Sequence, residues 1–173
     1  QLGIIQRSGR RLAVLIDDML DATHIEQSEY ELEPVRFDIS EMISDLVESF
    51  VPIISERNQK LTIDVPPVAE ANEMFADQVR LSQVISNLIT NASKYSGENT
   101  EVKVSVKYTS DDEVTIEVED QGIGIGGEDL PHVFGAFFRA DNEGTRAQSG
   151  TGIGLYFCRM IVEYHSGEIT AES

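Results

Sequence analysis

Apolar side chains recur along this chain at two periods, near 3.6 and 2.0 residues, and the change from one to the other marks out its elements. In the first stretch Ile5, Leu12, Leu15, Met19 and Ala22 fall at steps of seven, three, four and three, the seam of an amphipathic helix that needs a helical partner. Pro34 disfavours helical geometry at Glu33, so the chain turns extended there, with a boundary near Tyr30. Asp38 or Ser40 then caps a helix carrying Ile39, Met42, Ile43, Leu46, Val47 and Phe50 on one face, which should cover a sheet. Leu61, Ile63 and Val65 alternate with polar residues as a half-buried strand does, Pro66 and Pro67 stop it, and a short apolar piece follows at 74–76. Residues 77–95 form a second strong helix, with Leu81, Val84, Ile85, Leu88 and Ala92 on one side. The runs Val102-Val104-Val106 and Val114-Ile116-Val118, joined through 108–113, predict a hairpin whose second strand should be central. Helical spacing returns over 153–164 through Leu155, Cys158, Ile161 and Val162, and 168–171 reads as the opening of another strand.

Composition narrows the function. The 13 Lys and Arg against 31 Asp and Glu give a formal net charge of −18, which repels a phosphate backbone and argues against nucleic acid as a partner. An apolar content of 40% with 25% charged residues is that of a globular chain, so disorder is not the default. No apolar run is long enough to cross a membrane, and the single cysteine, Cys158, cannot form an internal disulfide. A reducing, cytoplasmic setting is therefore expected.

Three stretches carry residue types suited to a charged ligand. Asn87, Asn91 and Lys94 stand at steps of four and three and share a helix face; amide oxygens suit magnesium, and a lysine supplies a point charge for phosphate. By spacing alone, a solvated polar face is the alternative. Asp120-Gln121-Gly122-Ile123-Gly124 ends a strand with a carboxylate that can accept from an exocyclic amine and glycines that let a ligand approach the backbone, although a tight turn needs the same residues. Gly150-Thr151-Gly152-Ile153-Gly154-Leu155 opens the last helix, where backbone N–H groups and the dipole favour an anion. It lacks the strand before it that a dinucleotide fingerprint requires.

Taken in order and spacing, Asn87 to Tyr95, Asp120-x-Gly122-x-Gly124, Phe134-Gly-Ala-Phe137-Phe-Arg139 and Gly150-x-Gly152-x-Gly154-Leu155 closely resemble the N, G1, F and G2 boxes of the sensor histidine kinases. The stretch 15–26 resembles the second helix of that family's dimerisation hairpin, so residues 1–29 are expected to be part of the hairpin and 30–173 the catalytic domain, ending before its last strand. The resemblance implies an α/β (α+β) fold: a two-layer sandwich of a mixed, mostly antiparallel sheet with helices on one face, preceded by the long amphipathic helix. It implies ATP and Mg²⁺ as cofactors, bound between the Asn87 helix and a mobile lid over 141–149. In that reading Asp120 takes the adenine amine, Gly122 and Gly124 shape the base pocket and Tyr95 flanks the purine. Asn87 holds Mg²⁺ with Asn91 close by, Lys94 and Arg139 face the phosphates, and the N–H groups of Gly152, Ile153, Gly154 and Leu155, with Gly150 and Thr151 leading in, cradle them. Asn87, Lys94 and Arg139 are the implied catalytic residues. The implied partners are the kinase's own dimerisation hairpin, in a homodimeric parent, and a response-regulator receiver domain. The segment faces the cytoplasm even where such a parent is anchored in a membrane.

ATP-hydrolysing relatives carry a glutamate where this chain has Asn87, and an amide cannot serve as the base that water needs, so phosphotransfer to histidine is favoured over hydrolysis. None of His24, His132 and His165 lies in the family's acceptor pattern, which belongs to the first hairpin helix, upstream of Gln1; the last two read as surface or boundary histidines. Gly135 and Ala136 replace the Glu and Arg common in the F box, and Gly126-Gly127 a commonly proline-containing stretch, so a loose lid is expected. Two rivals share the fold. One is a serine kinase of the anti-sigma-factor type, against which the Ile5 to Ala22 seam argues; the other is a nucleotide-free interaction module, against which Asn87, Lys94, Asp120 and Arg139 argue.

Overall fold

Asp38 ends one element and starts the next. It closes the strand β1 (Val35–Asp38), and its Oδ1 accepts the N–H groups of Ser40 at 2.7 Å and Glu41 at 3.2 Å, capping the helix α1 (Ile39–Ser55). The computed structural model describes residues 31–67, 73–110, 113–141, 143–148 and 150–173; the helix expected over 1–29, His24 included, lies outside them. α1 runs on through Pro52 to Ser55. A proline inside a helix costs about 3 kcal/mol, but Pro52 lies in the last turns and Ile54 beyond it is 1% exposed. Burying a side chain of that size returns about 1.5–3 kcal/mol.

After α1 come β2 (Lys60–Asp64), β3 (Glu73–Ala76), α2 (Gln78–Tyr95), β4 (Glu101–Ser110) and β5 (Glu113–Glu119). β2 pairs parallel with β4, with Leu61 opposite Val102 and Ile63 opposite Val104, and β4 pairs antiparallel with β5, with Val104 opposite Val118 and Val106 opposite Ile116. β1 and β3 form a separate antiparallel ribbon. The central strand among the described residues is thus β4 and not β5, and its Val102, Val104 and Val106 are buried where the partners in β5 are only partly so.

Helices cover the sheet, and α2 lies at the middle of the packing. Its Leu81, Ile85 and Ile89 join Ile39, Met42, Ile43 and Val47 of α1 and Val104 and Val106 of β4 in one core. A second side of α2, through Val84 and the partly buried Leu88, packs on Phe157, Cys158 and Ile161 of α4 (Gly154–Tyr164). A helix buried on two sides has only a narrow remaining face, and Asn87, Asn91 and Lys94 occupy it, all partly buried. Two expectations are corrected. The segment read as an irregular lid contains a short helix, α3 (Glu143–Ala147), and residues 168–173 form no strand. There Ser173 packs instead on the glycine-rich loop after β5, its Oγ accepting the Ile125 N–H at 2.7 Å.

Candidate functional site

α2 presents its polar face because of how it is capped and packed. Asp77 caps it, Oδ1 accepting the Arg80 N–H at 3.1 Å, which fixes the phase of the turns that follow. Three turns on, Asn91 Nδ2 donates to Asn87 Oδ1 at 3.0 Å, so the two amides orient each other. Lys94 lies one turn further, its Nζ donating to Tyr95 Oη at 3.1 Å and standing 4.7 Å from the ring centroid.

The glycine-rich start of α4 meets this face. A Cβ built on Gly154 would lie 2.6 Å from Asn87 Nδ2 and 2.8 Å from its Oδ1, so the amide lies against a backbone that only glycine leaves open. One built on Gly150 would lie 2.8 Å from Lys94 Nζ. Gly152, at φ +77°, would place a Cβ 2.7 Å from the backbone of Phe137 and Phe138, which is how the segment 134–139 is drawn onto the helix start. Phe137 itself holds a left-handed φ of 61° and is 64% exposed. Ile153 at the N-cap is buried and supplies no side-chain acceptor, while Thr151 Oγ1 accepts the Ile153 N–H at 3.2 Å; Leu155 is partly buried in the first turn.

Asp120 and Gly122 flank the other end of α2. Asp120 Oδ1 accepts the Gly122 N–H at 2.8 Å, Gly122 forms a β-bridge with Ser96, and Ile123 N–H donates to Tyr95 O at 3.2 Å. Gly124, at φ +69°, turns the loop beside Ser173. The first glycine stretch, the amide face and the second glycine stretch are thereby brought together around one helix.

Arg139 makes its hydrogen bonds to backbone carbonyls. Nη1 donates to Gly150 O at 2.9 Å and Nη2 to Thr145 O and Gln148 O, both at 2.7 Å, so one guanidinium braces three carbonyls of the lid. Arg146 Nε adds a 2.7 Å pair with Asp141. The planar fork of arginine suits several acceptors at once.

Two groups escaped the sequence. His165 is a junction and not a plain boundary residue: the Asp77 N–H donates to its Nε2 at 3.0 Å, and its Nδ1 lies 2.8 Å from Ile161 O. Asp77 Oδ2 in turn accepts the Glu33 N–H at 3.0 Å, so the entry chain and α2 meet at its carboxylate while the end of α4 meets its backbone N–H. Burial pushes the Asp77 carboxyl up, but the Glu33 and Arg80 N–H donors, with the charge of Arg80, hold it below its ordinary value. Gln59, 6% exposed, lies against the far end of α2. No local signal pairs residues 34 or 88 positions apart. Cys158 is inert by burial, which pushes its thiol up to about 12. The His132 and Phe138 rings lie 5.9 Å apart between centroids, tilted by 43°.

The residues present fit a magnesium nucleotide. Two mutually oriented amides offer hard oxygens, a lysine stands at a glycine, and the start of α4 is a cradle that a Cβ would fill. The buried Ser96 hydroxyl, beside the Gly122 bridge, has no hydrogen-bond partner among the described residues. Among the described residues no cluster of His, Cys, Asp and Glu suits a metal, and no helix is long and apolar enough to cross a membrane.

Helices laid on a mixed sheet, with amides, a lysine and two glycine stretches converging on one helix, define the two-layer α+β architecture of an ATPase domain. The chain belongs to the family of histidine kinase-, DNA gyrase B- and HSP90-like ATPases, whose model matches residues 76–173. Sensor histidine kinase WalK of Bacillus subtilis is 31% identical over 99% of this chain and 28% of its own length. Full-length ShkA, solved in complex with AMPPNP, shares the fold at a TM-score of 0.85, with 23% identity over 99% of this chain and 35% of that one. Histidine kinase ThkA, solved with response regulator protein TrrA, gives a TM-score of 0.75 and 27% identity over 98% of this chain and 46% of that one. The chain spans 10% to 37% of the length of the curated relatives it matches.

Proposed function

We propose that this chain is the ATP·Mg²⁺-binding catalytic region of a sensor histidine kinase, which gives the γ-phosphate of ATP to a histidine on a dimerisation hairpin. The observation that carries the reading is the contact of Asn87 with Gly154, which sets an amide face against a helix N-terminus. Magnesium, when bound, would neutralise phosphate charge beside Asn87 and Asn91. Asp120 would take the adenine amine, Tyr95 would flank the base with Gly122 and Gly124 shaping the pocket, and the 150–155 backbone would hold the phosphates. Lys94, 2.8 Å from where a Gly150 Cβ would stand, would meet them from the opposite side.

No carboxylate replaces Asn87 on the polar face of α2, so no base is placed there to activate water. The γ-phosphate would persist until an imidazole arrives in line, and catalysis would rest on positioning and charge. Residues 1–29 would be the second helix of the hairpin in a homodimeric parent, and 30–173 the catalytic domain, on the cytoplasmic side. A response regulator would then take the phosphoryl group, as the pairing of ThkA with TrrA supports.

The test is incubation of the chain with γ-labelled ATP, Mg²⁺ and the acceptor-bearing hairpin of its parent. Label on the hairpin that is lost in acid and kept in base is the expected result. Acid-stable label would indicate a serine kinase, and free phosphate alone an ATPase; either overturns the reading.

A further inference from the structure

We infer that Gln59 is a positioning residue for the nucleotide site: its buried amide locks the C-terminal turn of α2 so that Lys94 and Tyr95 face the pocket. The inference rests on the proposed nucleotide reading and adds a residue outside every motif. Gln59 Nε2 shares its two hydrogens among the carbonyl oxygens of Ser93 at 3.0 Å, Ser96 at 3.0 Å and Gly97 at 2.9 Å, and its Oε1 accepts the Ser93 hydroxyl at 2.5 Å. The three carbonyls stand on both sides of Lys94 and Tyr95.

A helix end leaves its last carbonyls without intrahelical donors, and buried ones must find partners elsewhere. Here Gln59 takes Ser93, Ser96 and Gly97, which leaves the Tyr95 carbonyl to the Ile123 N–H of the base-pocket loop at 3.2 Å. The same turn carries the Ser96–Gly122 bridge. Gln59 therefore decides which carbonyl meets that loop. Its own backbone is fixed, because Gln59 N–H donates to Ile54 O at 3.3 Å, Asn58 O accepts the Asn99 N–H at 2.8 Å, and Lys60 N–H donates to Thr100 O at 2.9 Å. The carbonyls, which only accept, set which end of the amide points where, and the Ser93 hydroxyl then donates to the amide oxygen.

A residue that merely fills volume tolerates Gln59→Met, of similar size; one that donates does not. In Gln59→Met, the Ser93 and Ser96 carbonyls lose this donor and Gly97 O keeps only the Thr100 hydroxyl at 2.7 Å, the turn rearranges to satisfy them, and Lys94 and Tyr95 move with it. In Gln59→Glu an ionised carboxylate faces the same three oxygens, and protonation restores one donor.

The experiment measures affinity of the whole chain for a non-hydrolysable ATP analogue with Mg²⁺, at a temperature where circular dichroism shows each protein folded. Gln59→Met should bind about tenfold more weakly, the equivalent of about one net hydrogen bond. Gln59→Glu should recover affinity relative to wild type as pH falls from about 7.5 to 5.5, because burial among carbonyls raises its pKa. Should Gln59→Met fail to fold, Ser93→Ala decides: a two- to threefold loss with shifted backbone amide resonances at Lys94, Tyr95 and Ile123 is expected. Wild-type affinity in the folded variants, or unmoved resonances in Ser93→Ala, would overturn the inference alone. Absence of binding by wild type would instead overturn the nucleotide reading.

Discussion

Gly154→Ala separates site geometry from stability. The added methyl would begin 2.6 Å from Asn87 Nδ2 and 2.8 Å from its Oδ1, closer than real carbon contacts come, so one side must move. The atoms it meets are the free end of a side chain, so Asn87 swings away and the backbone stays. That displacement breaks the 3.0 Å bond from Asn91, a loss of about 0.5–1.5 kcal/mol. Against it, alanine in a helix is favoured over glycine by about 0.5–1 kcal/mol. Net stability should therefore change by less than about 1 kcal/mol, a shift of about 2–4 °C at most in Tm. The Mg²⁺-dependent part of nucleotide affinity should fall about tenfold or more, because an amide held to a charged group contributes about 1.5–3 kcal/mol. Differential scanning calorimetry and titration with a non-hydrolysable ATP analogue, with and without Mg²⁺, read the two quantities. A variant of unchanged stability that keeps its full magnesium dependence would refute the assignment of Asn87.

Gly152→Ala should behave in the opposite way, losing stability outright. A Cβ there meets fixed backbone of Phe137 and Phe138 at 2.7 Å and a φ of +77°, so Tm should fall by at least about 5 °C, and a fall under about 2 °C contradicts the packing. Asp77→Ala removes a helix cap and should cost about 1–2 kcal/mol at pH 7 by urea denaturation. Because Asp77 is held below its ordinary value in the folded state, its contribution is complete above the unfolded pKa and is lost as pH falls through the folded one. The gap between wild type and variant should therefore narrow below about pH 4; a gap of constant size down to pH 2 would count against it. Arg139→Ala withdraws the donor from Thr145, Gln148 and Gly150, and hydrogen exchange over 143–150 should quicken, whereas unchanged protection would show that the brace is idle.

Much of this fold is written locally. Asp38 and Asp77 were legible as helix starts, and the alternation of Val102, Val104 and Val106 as a strand, because caps and periods are properties of neighbouring residues. The place of β5 at the edge was not, since alternation in a run says which face is buried but not how many neighbours pair beside it. Nor was α3, whose five residues are held by Arg139 and Arg146 and show no apolar period. Asn87, Lys94 and the glycines were readable from type and spacing, yet spacing alone left a solvated face open. The approach of Gly154 to Asn87, 67 positions apart in sequence, needed the packing of α4 on α2. Gln59 and His165 act through backbone groups, which any sequence supplies, and so left no mark in theirs.

One pocket, between α2, the loop after β5 and the start of α4, is proposed to hold ATP with Mg²⁺. This is tested most directly by calorimetric titration of this chain with a non-hydrolysable ATP analogue, with and without Mg²⁺, for wild type, Asp120→Asn and Asn87→Ala. Wild type should bind, Asp120→Asn should bind more weakly in both conditions, and Asn87→Ala should lose the difference that magnesium makes. A folded wild-type protein that takes up no nucleotide would contradict the claim and bring the interaction-module reading forward.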